Sequence, residues 1–206
     1  ASTQPFVMIW SLYTEIQTMR TLFLILISIS GWSQSVIEKA KGLYDAKKYA
    51  EATTLLKGVD DDRNEYAEAR YWLGRLAYDQ KEYDDAADYF EEATEANPKS
   101  PEYFTWLGDT YGTIAQNANM VKQGMLAPKM KKAWEQAVAL DPKAINPRLS
   151  LIQYYLQAPG FMGGSTEKAV EVANQLVKIK PAEGHRQLGN IYARDKKTAK
   201  AEKEYQ

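Results

Sequence analysis

Residues 154–169 read YYLQAPGFMGGSTEKA. A glycine-rich loop that opens onto a helix can bind phosphate through free backbone N–H groups. This one lacks the Gly-Lys-Ser/Thr of a nucleotide loop, follows no strand-like run, and places an acid, Glu167, in the next helical turn. It reads better as a joint. Pro159 and Gly160 stop one helix, Gly163 and Gly164 permit left-handed or close-approach backbone, and Ser165 or Thr166 caps the following helix. Other reactive candidates are few. The chain has one histidine, His185, and no cysteine, which removes thiol nucleophiles, disulfides, zinc ribbons and paired-histidine metal sites. His185 is expected to pack between helices. The run Asp60-Asp61-Asp62 lacks the glycine and terminal glutamate of a calcium loop and reads as a solvated turn. Between Ile114 and Ala133 stand Lys122, Lys129, Lys131 and Lys132 with no acid among them. That cluster is either a solvated charged surface or a basic protrusion beside a groove. Nothing supplies a nucleophile–base pair, so the chain is expected to be no enzyme and to need no cofactor.

Composition narrows the partners. The 206 residues carry 26 basic and 27 acidic side chains, a balance with no bulk attraction to nucleic acid. The N-terminal region has its own pattern. From Met19 the chain shows one positive charge at Arg20, an apolar run from Leu22 to Ile29, then small and polar residues up to Ser33. This is the order of a secretory signal peptide, and it implies a protein that is exported, either periplasmic or secreted. The apolar run falls short of the roughly 20 residues that span a bilayer as a helix, so no stable membrane span is expected after its removal. Residues 1–18 read as sequence upstream of the true start.

What must position any binding residues is a repeat. Gly74 and Gly108 stand 34 residues apart in the phrases YWLGRLAYDQ and TWLGDTYGTI, and Ala52 and Ala86 are also 34 apart. The unit at about 67–100 is the most complete, with Leu73, Gly74, Tyr83, Ala86, Phe90, Ala93 and Pro98. Leu73, Gly74 and Ala77 form one face of a first helix, and Ala86, Phe90 and Ala93 form the stripe of a second. Gly74 allows close approach, Phe90 fills the groove beside it, and Pro98 stops the second helix. One such hairpin cannot bury its own apolar face, so its neighbours must stack on it.

This pattern resembles the tetratricopeptide repeat, and the resemblance covers about residues 33–206. It implies an all-α, right-handed superhelical solenoid of antiparallel helix pairs, about five repeats, the last incomplete. The expected units are about 33–66 (Ala40, Tyr49, Ala52, Leu56), 67–100, 101–144 (Leu107, Gly108, Tyr111, Trp134, Ala137), 145–181 (Leu151, Ile152, Ala169) and 182–206 (His185, Leu188, Gly189, Ala201, Tyr205). The third unit holds about ten extra residues and the fourth about five. In the third, the first helix is expected to continue past Tyr111, break near Gly124–Pro128, and restart around Pro128. The phrase around APGFMGGS is similar to one in a group of bacterial exported tetratricopeptide proteins with an enlarged preceding repeat, which supports the architecture and implies no activity. Gln206 falls inside a helix of the fifth unit and leaves Tyr205 half covered, so the natural protein is expected to continue.

In this family the first helices line a concave face that takes protein or peptide partners. By register, Lys41, Tyr44, Arg75, Tyr78, Asp79, Asp109, Thr113, Gln153 and Gln157 should point there. Arg75 and Lys41 suit a partner's carboxylate, Asp79 and Asp109 its basic side chains. Such grooves hold extended peptides or partner helices. The expected function is a non-catalytic interaction scaffold. The alternative is a repeat segment of a longer exported enzyme whose catalytic domain lies beyond residue 206.

Overall fold

The computed structural model describes residues 35–206; the expected signal segment at 19–33 and the preceding residues 1–18 lie outside the described residues. The described chain is all helical. Unit one pairs α1 (Val36–Asp45) with α2 (Tyr49–Lys57), and unit two pairs α3 (Tyr66–Asp79) with α4 (Tyr83–Ala96). Unit three pairs α5 (Pro101–Gln116) with α6 (Met120–Leu140). Unit four joins α7 (Asn146–Gln157) to α8 (Thr166–Ile179) through a short 3-10 turn at Gly160–Met162, and unit five pairs α9 (Pro181–Arg194) with α10 (Thr198–Tyr205). Each helix packs on its chain neighbours, and first helices also touch across units, α1 on α3 and α5 on α7. None of the described helices is long and apolar enough to cross a membrane.

The units share one packing rule with changing sizes. Where a first helix crosses its second, the side chains divide a fixed volume. A Cβ at Gly74 would lie 2.7 Å from the Phe90 ring, and one at Gly108 would lie 2.5 Å from the Trp134 indole. Gly189 is covered by Tyr205 in the same way. In unit four the sizes are reversed: Ile152 holds the glycine position and Ala173 the aromatic one, both fully buried. In unit one the pair is Ala40 and Leu56, also buried. A close-packed interior tolerates either arrangement so long as the summed volume is kept.

The turns separate regular from enlarged units. In units one, two and five the first helix ends on a left-handed residue, Lys47 (φ 58°), Lys81 (φ 67°) and Lys196 (φ 59°). Each turn is closed by the same two backbone bonds, as in Lys81 N to Tyr78 O (2.9 Å) and Glu82 N to Ala77 O (2.9 Å). That is a helix-terminating motif usually built on glycine. The enlarged units use other devices. In unit four Gly163 takes φ 95°, and a Cβ on Gly164 would sit 1.7 Å from Ala158 O. The two glycines thus serve one geometry each, the first a left-handed φ and the second a close approach. Ser165 then caps α8 by accepting from Lys168 N (3.2 Å).

Two expectations need correction, and one of two open alternatives falls away. Unit three does not break at Gly124–Pro128. The break is at Asn117–Asn119, and α6 passes straight through Pro128. Asn119 caps α6 by accepting from Lys122 N (2.9 Å), and the Gln123 amide donates to Ala115 O and Ala118 O at the end of α5. Pro128 removes one helical bond, to Gly124 O. Burial of Leu126, Ala127 and Met130 on either side of it holds the helix together. His185 is not packed between helices: it is half-exposed, with Nδ1 2.7 Å from a Glu204 carboxylate oxygen. The lysines of unit three do not form a free basic protrusion either. Lys122 pairs with Asp84 (3.0 Å), Lys129 with Glu91 (3.1 Å) and Lys131 with Glu135 (3.7 Å), so two of them neutralise the acidic helix α4.

Candidate binding face

The residues assigned to the face fall on the repeat register. Lys41, Arg75 and Asp109 follow one another at 34-residue steps, and Gln153 continues the series after the insertion. Asp79, Thr113 and Gln157 form a second series one helical turn on. The structure sorts all nine into two neighbourhoods.

The first, on units one and two, is a network without a cavity. Tyr44 donates its hydroxyl to Asp79. Arg75 donates to the Tyr71 hydroxyl (3.0 Å) and the Tyr44 hydroxyl (3.4 Å). Its guanidinium lies 4.0 Å from the Trp106 ring centre and within 5.9 Å of the Tyr44, Tyr71 and Trp72 rings. Cations are attracted to such ring faces. No carboxylate among the described residues pairs with Arg75, and its Nε is buried without a partner. Lys41 differs: it is held by Glu68 (3.0 Å) and Glu38 (3.1 Å), and the hydrogen bond to Glu68 keeps its pKa above the ordinary lysine value.

The second neighbourhood, on units two to four, surrounds a cavity of about 500 Å³ lined by Tyr78, Asp109, Thr113, Gln153 and Gln157 among others. Five of the nine residues therefore share one hollow. Thr113 commits its proton to Asp109 O (2.9 Å), which leaves the Tyr78 hydroxyl as donor to Thr113 Oγ1 (2.9 Å). Asp109 Oδ1 accepts from Trp134 Nε1 (2.8 Å) and Ser150 Oγ (3.0 Å). No donor among the described residues reaches Oδ2. Burial pushes the Asp109 carboxyl above the usual range, although both donors pull it down. Gln153 and Gln157 are exposed. One wall is Met162 of the 3-10 turn, held where the Tyr154 hydroxyl donates to Met162 O.

Sequence reasoning missed several members of both neighbourhoods. Trp72 and Trp106 stand 34 residues apart, as the face residues do, and that spacing was a usable signal. Ser150 continues the same series after the insertion, as Gln153 continues that of Asp109, and so carried the same signal; Met162 carries none, because inserted residues bring it in. Among the described residues no group of three or more His, Cys, Asp or Glu is placed to hold a metal ion.

Comparison with known proteins fits this geometry. Residues 43–107 match the model of the tetratricopeptide repeat. The matched stretch runs from the end of α1 into α5. No curated protein matches it significantly. Among solved structures, MamA is 19% identical and superposes with a TM-score of 0.65, covering 84% of this chain and 91% of its own. TTC0263, a thermophilic tetratricopeptide protein of Thermus thermophilus, is 18% identical with a TM-score of 0.58, covering 84% of this chain and 87% of its own. YrrB, described as a tetratricopeptide protein with an unusual peptide-binding site, is 18% identical with a TM-score of 0.63, covering 82% of this chain and 80% of its own. At these identities the likeness is one of fold, that of a tetratricopeptide-repeat solenoid.

Proposed function

We propose that this protein is a non-catalytic scaffold that holds a peptide or partner protein along the concave face of its first helices. The observation that carries the reading is Arg75. Its charge is permanent and its guanidinium is framed by aromatic rings, yet no carboxylate of the described chain pairs with it. A partner's carboxylate would complete it, and the rings beside it offer apolar area with polar tips. YrrB offers a parallel as a solenoid of this kind with a peptide-binding site. The proposal includes export, from the charge–apolar–small order at Met19–Ser33. N-terminal sequencing of the mature protein tests that part.

The binding reading is tested with peptides selected from a random library on the full chain. Acidic peptides are expected to dominate, and Arg75→Gln is expected to weaken them about tenfold, the scale of one charge-assisted hydrogen bond. Lys132→Gln, a change to an exposed lysine of α6, should leave them unaffected. Equal losses in both variants, or none in either, would contradict the assignment.

A further inference from the structure

We propose that the cavity between units two and four is a socket for a lysine or arginine side chain of the bound polypeptide. This rests on the concave-face reading and adds the chemistry of one subsite.

Charge comes first. Asp109 is the single carboxylate, and no lysine, arginine or histidine joins it, among the residues lining the hollow. An anionic ligand would meet this carboxylate with no cation to offset it. A cationic head meets an acceptor already aimed. Trp134 and Ser150 both bond to Oδ1 and so fix the carboxylate plane, while Oδ2 keeps its lone pairs for an incoming N–H. The amide oxygens of the rim residues Gln153 and Gln157 add acceptors for the remaining protons of an ammonium or guanidinium.

Shape and wall chemistry agree. Met130, Met162 and the Trp134 ring supply soft, apolar contact for a long alkyl stem. The volume of about 500 Å³ exceeds one side chain and leaves room for the flanking backbone. Outside the hollow, Gly124 of α6 meets Met162 of the 3-10 turn. These two segments carry the exposed apolar side chains Val121, Met125 and Phe161, on which a bound chain can continue. The insertions of units three and four therefore add a wall and a margin to a socket whose floor is on the repeat register.

Arg75 and Asp109 hold the same register position in neighbouring units and carry opposite charges. The partner implied is an extended segment with an acidic residue opposite unit two and a basic residue opposite unit three.

The test is a nuclear magnetic resonance titration of the full chain, following the Trp134 indole N–H and the Met162 methyl group. The probes are a capped Gly-Lys-Gly peptide and its norleucine counterpart. The lysine peptide is expected to move both signals in a saturable way, with a dissociation constant of about millimolar order for so small a ligand. Norleucine should leave them unmoved. Asp109→Asn keeps the acceptor for Trp134 and Ser150 and should weaken the lysine peptide at least about tenfold. Gln153→Lys, a rim change at an exposed site, should do the same by placing a cation at the mouth. Lys132→Gln, at an exposed site of α6, should leave this binding unchanged, and because the probe carries no acidic residue its failure is distinct from a failure of the acid-binding reading. Equal shifts from norleucine would overturn the assignment of charge. A lysine peptide that leaves both signals unmoved would overturn the socket while leaving the concave face in place.

Discussion

Units two and three repeat one design and end with opposite surfaces. In both, a glycine on the first helix lies under an aromatic ring of the second, and the next residue points to the binding face. In unit two the ring is Phe90, which has no polar atom. Arg75 therefore takes its partners from the Tyr44 and Tyr71 hydroxyls and still lacks a carboxylate among the described residues. In unit three the ring is Trp134, and its indole N–H donates to Asp109. With the inserted residues lengthening α6 and the fourth unit contributing Ser150 and Met162, the same register position opens onto a cavity. Aspartate in place of arginine, tryptophan in place of phenylalanine and the two insertions turn a cation framed by rings into an anion facing a cavity. The regular repeat supplies the framework, and departures from it supply a site.

The largest expected effects test the volume rule that the units share. Ile152→Ala should cost about 2–5 kcal/mol, because Ala173 opposite it cannot fill the space. Gly108→Leu should cost about 1–3 kcal/mol or more by driving a side chain into the Trp134 ring. Urea denaturation reads both. A mild result for Gly108→Leu would mean that the ring swings aside and the packing is looser than described.

Trp134→Phe makes unit three resemble unit two. The ring contact survives, but Asp109 loses its indole donor while remaining part-buried. A loss of about 1–3 kcal/mol is expected in the same denaturation experiment. An unchanged midpoint would show that the indole bond contributes little and that Ser150 suffices.

Turn chemistry gives a smaller contrast. Lys81 sits at φ 67°, where glycine is at ease, so Lys81→Gly should stabilise by up to about 1 kcal/mol. Gly163→Val, at φ 95° and close under the Tyr154 hydroxyl, should destabilise by about 1 kcal/mol or more. Opposite signs at two turns of the same solenoid would establish that regular and enlarged units end their first helices differently.

The smallest effect is a pH signature. The folded-state pKa of Asp109 is raised by burial, so the folded protein prefers the protonated acid. Ionisation costs stability: the cost is absent below the unfolded carboxyl range and complete once pH exceeds the raised value. Asp109→Asn should accordingly melt above the parent at pH 7, and the gap should close as pH falls towards about 3. A gap of the opposite sign would mean that the Trp134 and Ser150 bonds outweigh desolvation.

Much of the framework was legible because it depends on period. Glycines, alanines and aromatics at 34-residue steps predict the helix pairs, and the same steps bring all nine face residues to two neighbouring clusters. Local rules failed where tertiary contacts outweighed them. Pro128 reads as a helix boundary, yet buried residues around it hold α6 continuous. Lys47, Lys81 and Lys196 give no hint of left-handed turns, since lysine is a poor marker of positive φ. The four lysines of unit three read as a run of like charge, and only the placement of α4 beside α6 shows which acids answer them. The cavity was the least legible feature. Its floor is on register, Ser150 included, but Met162 arrives through an insertion, whose path no period describes.

The central claim is that partners bind the first-helix face, and photo-crosslinking tests it most directly. A benzophenone amino acid is placed singly at Gln157, on the rim of the cavity, or at Lys132, exposed on α6. Each full-length variant is irradiated with a library-selected peptide, and the adducts are mapped by mass spectrometry. The account predicts an adduct from position 157 and none from position 132. An adduct from 132 with silence at 157 would contradict it.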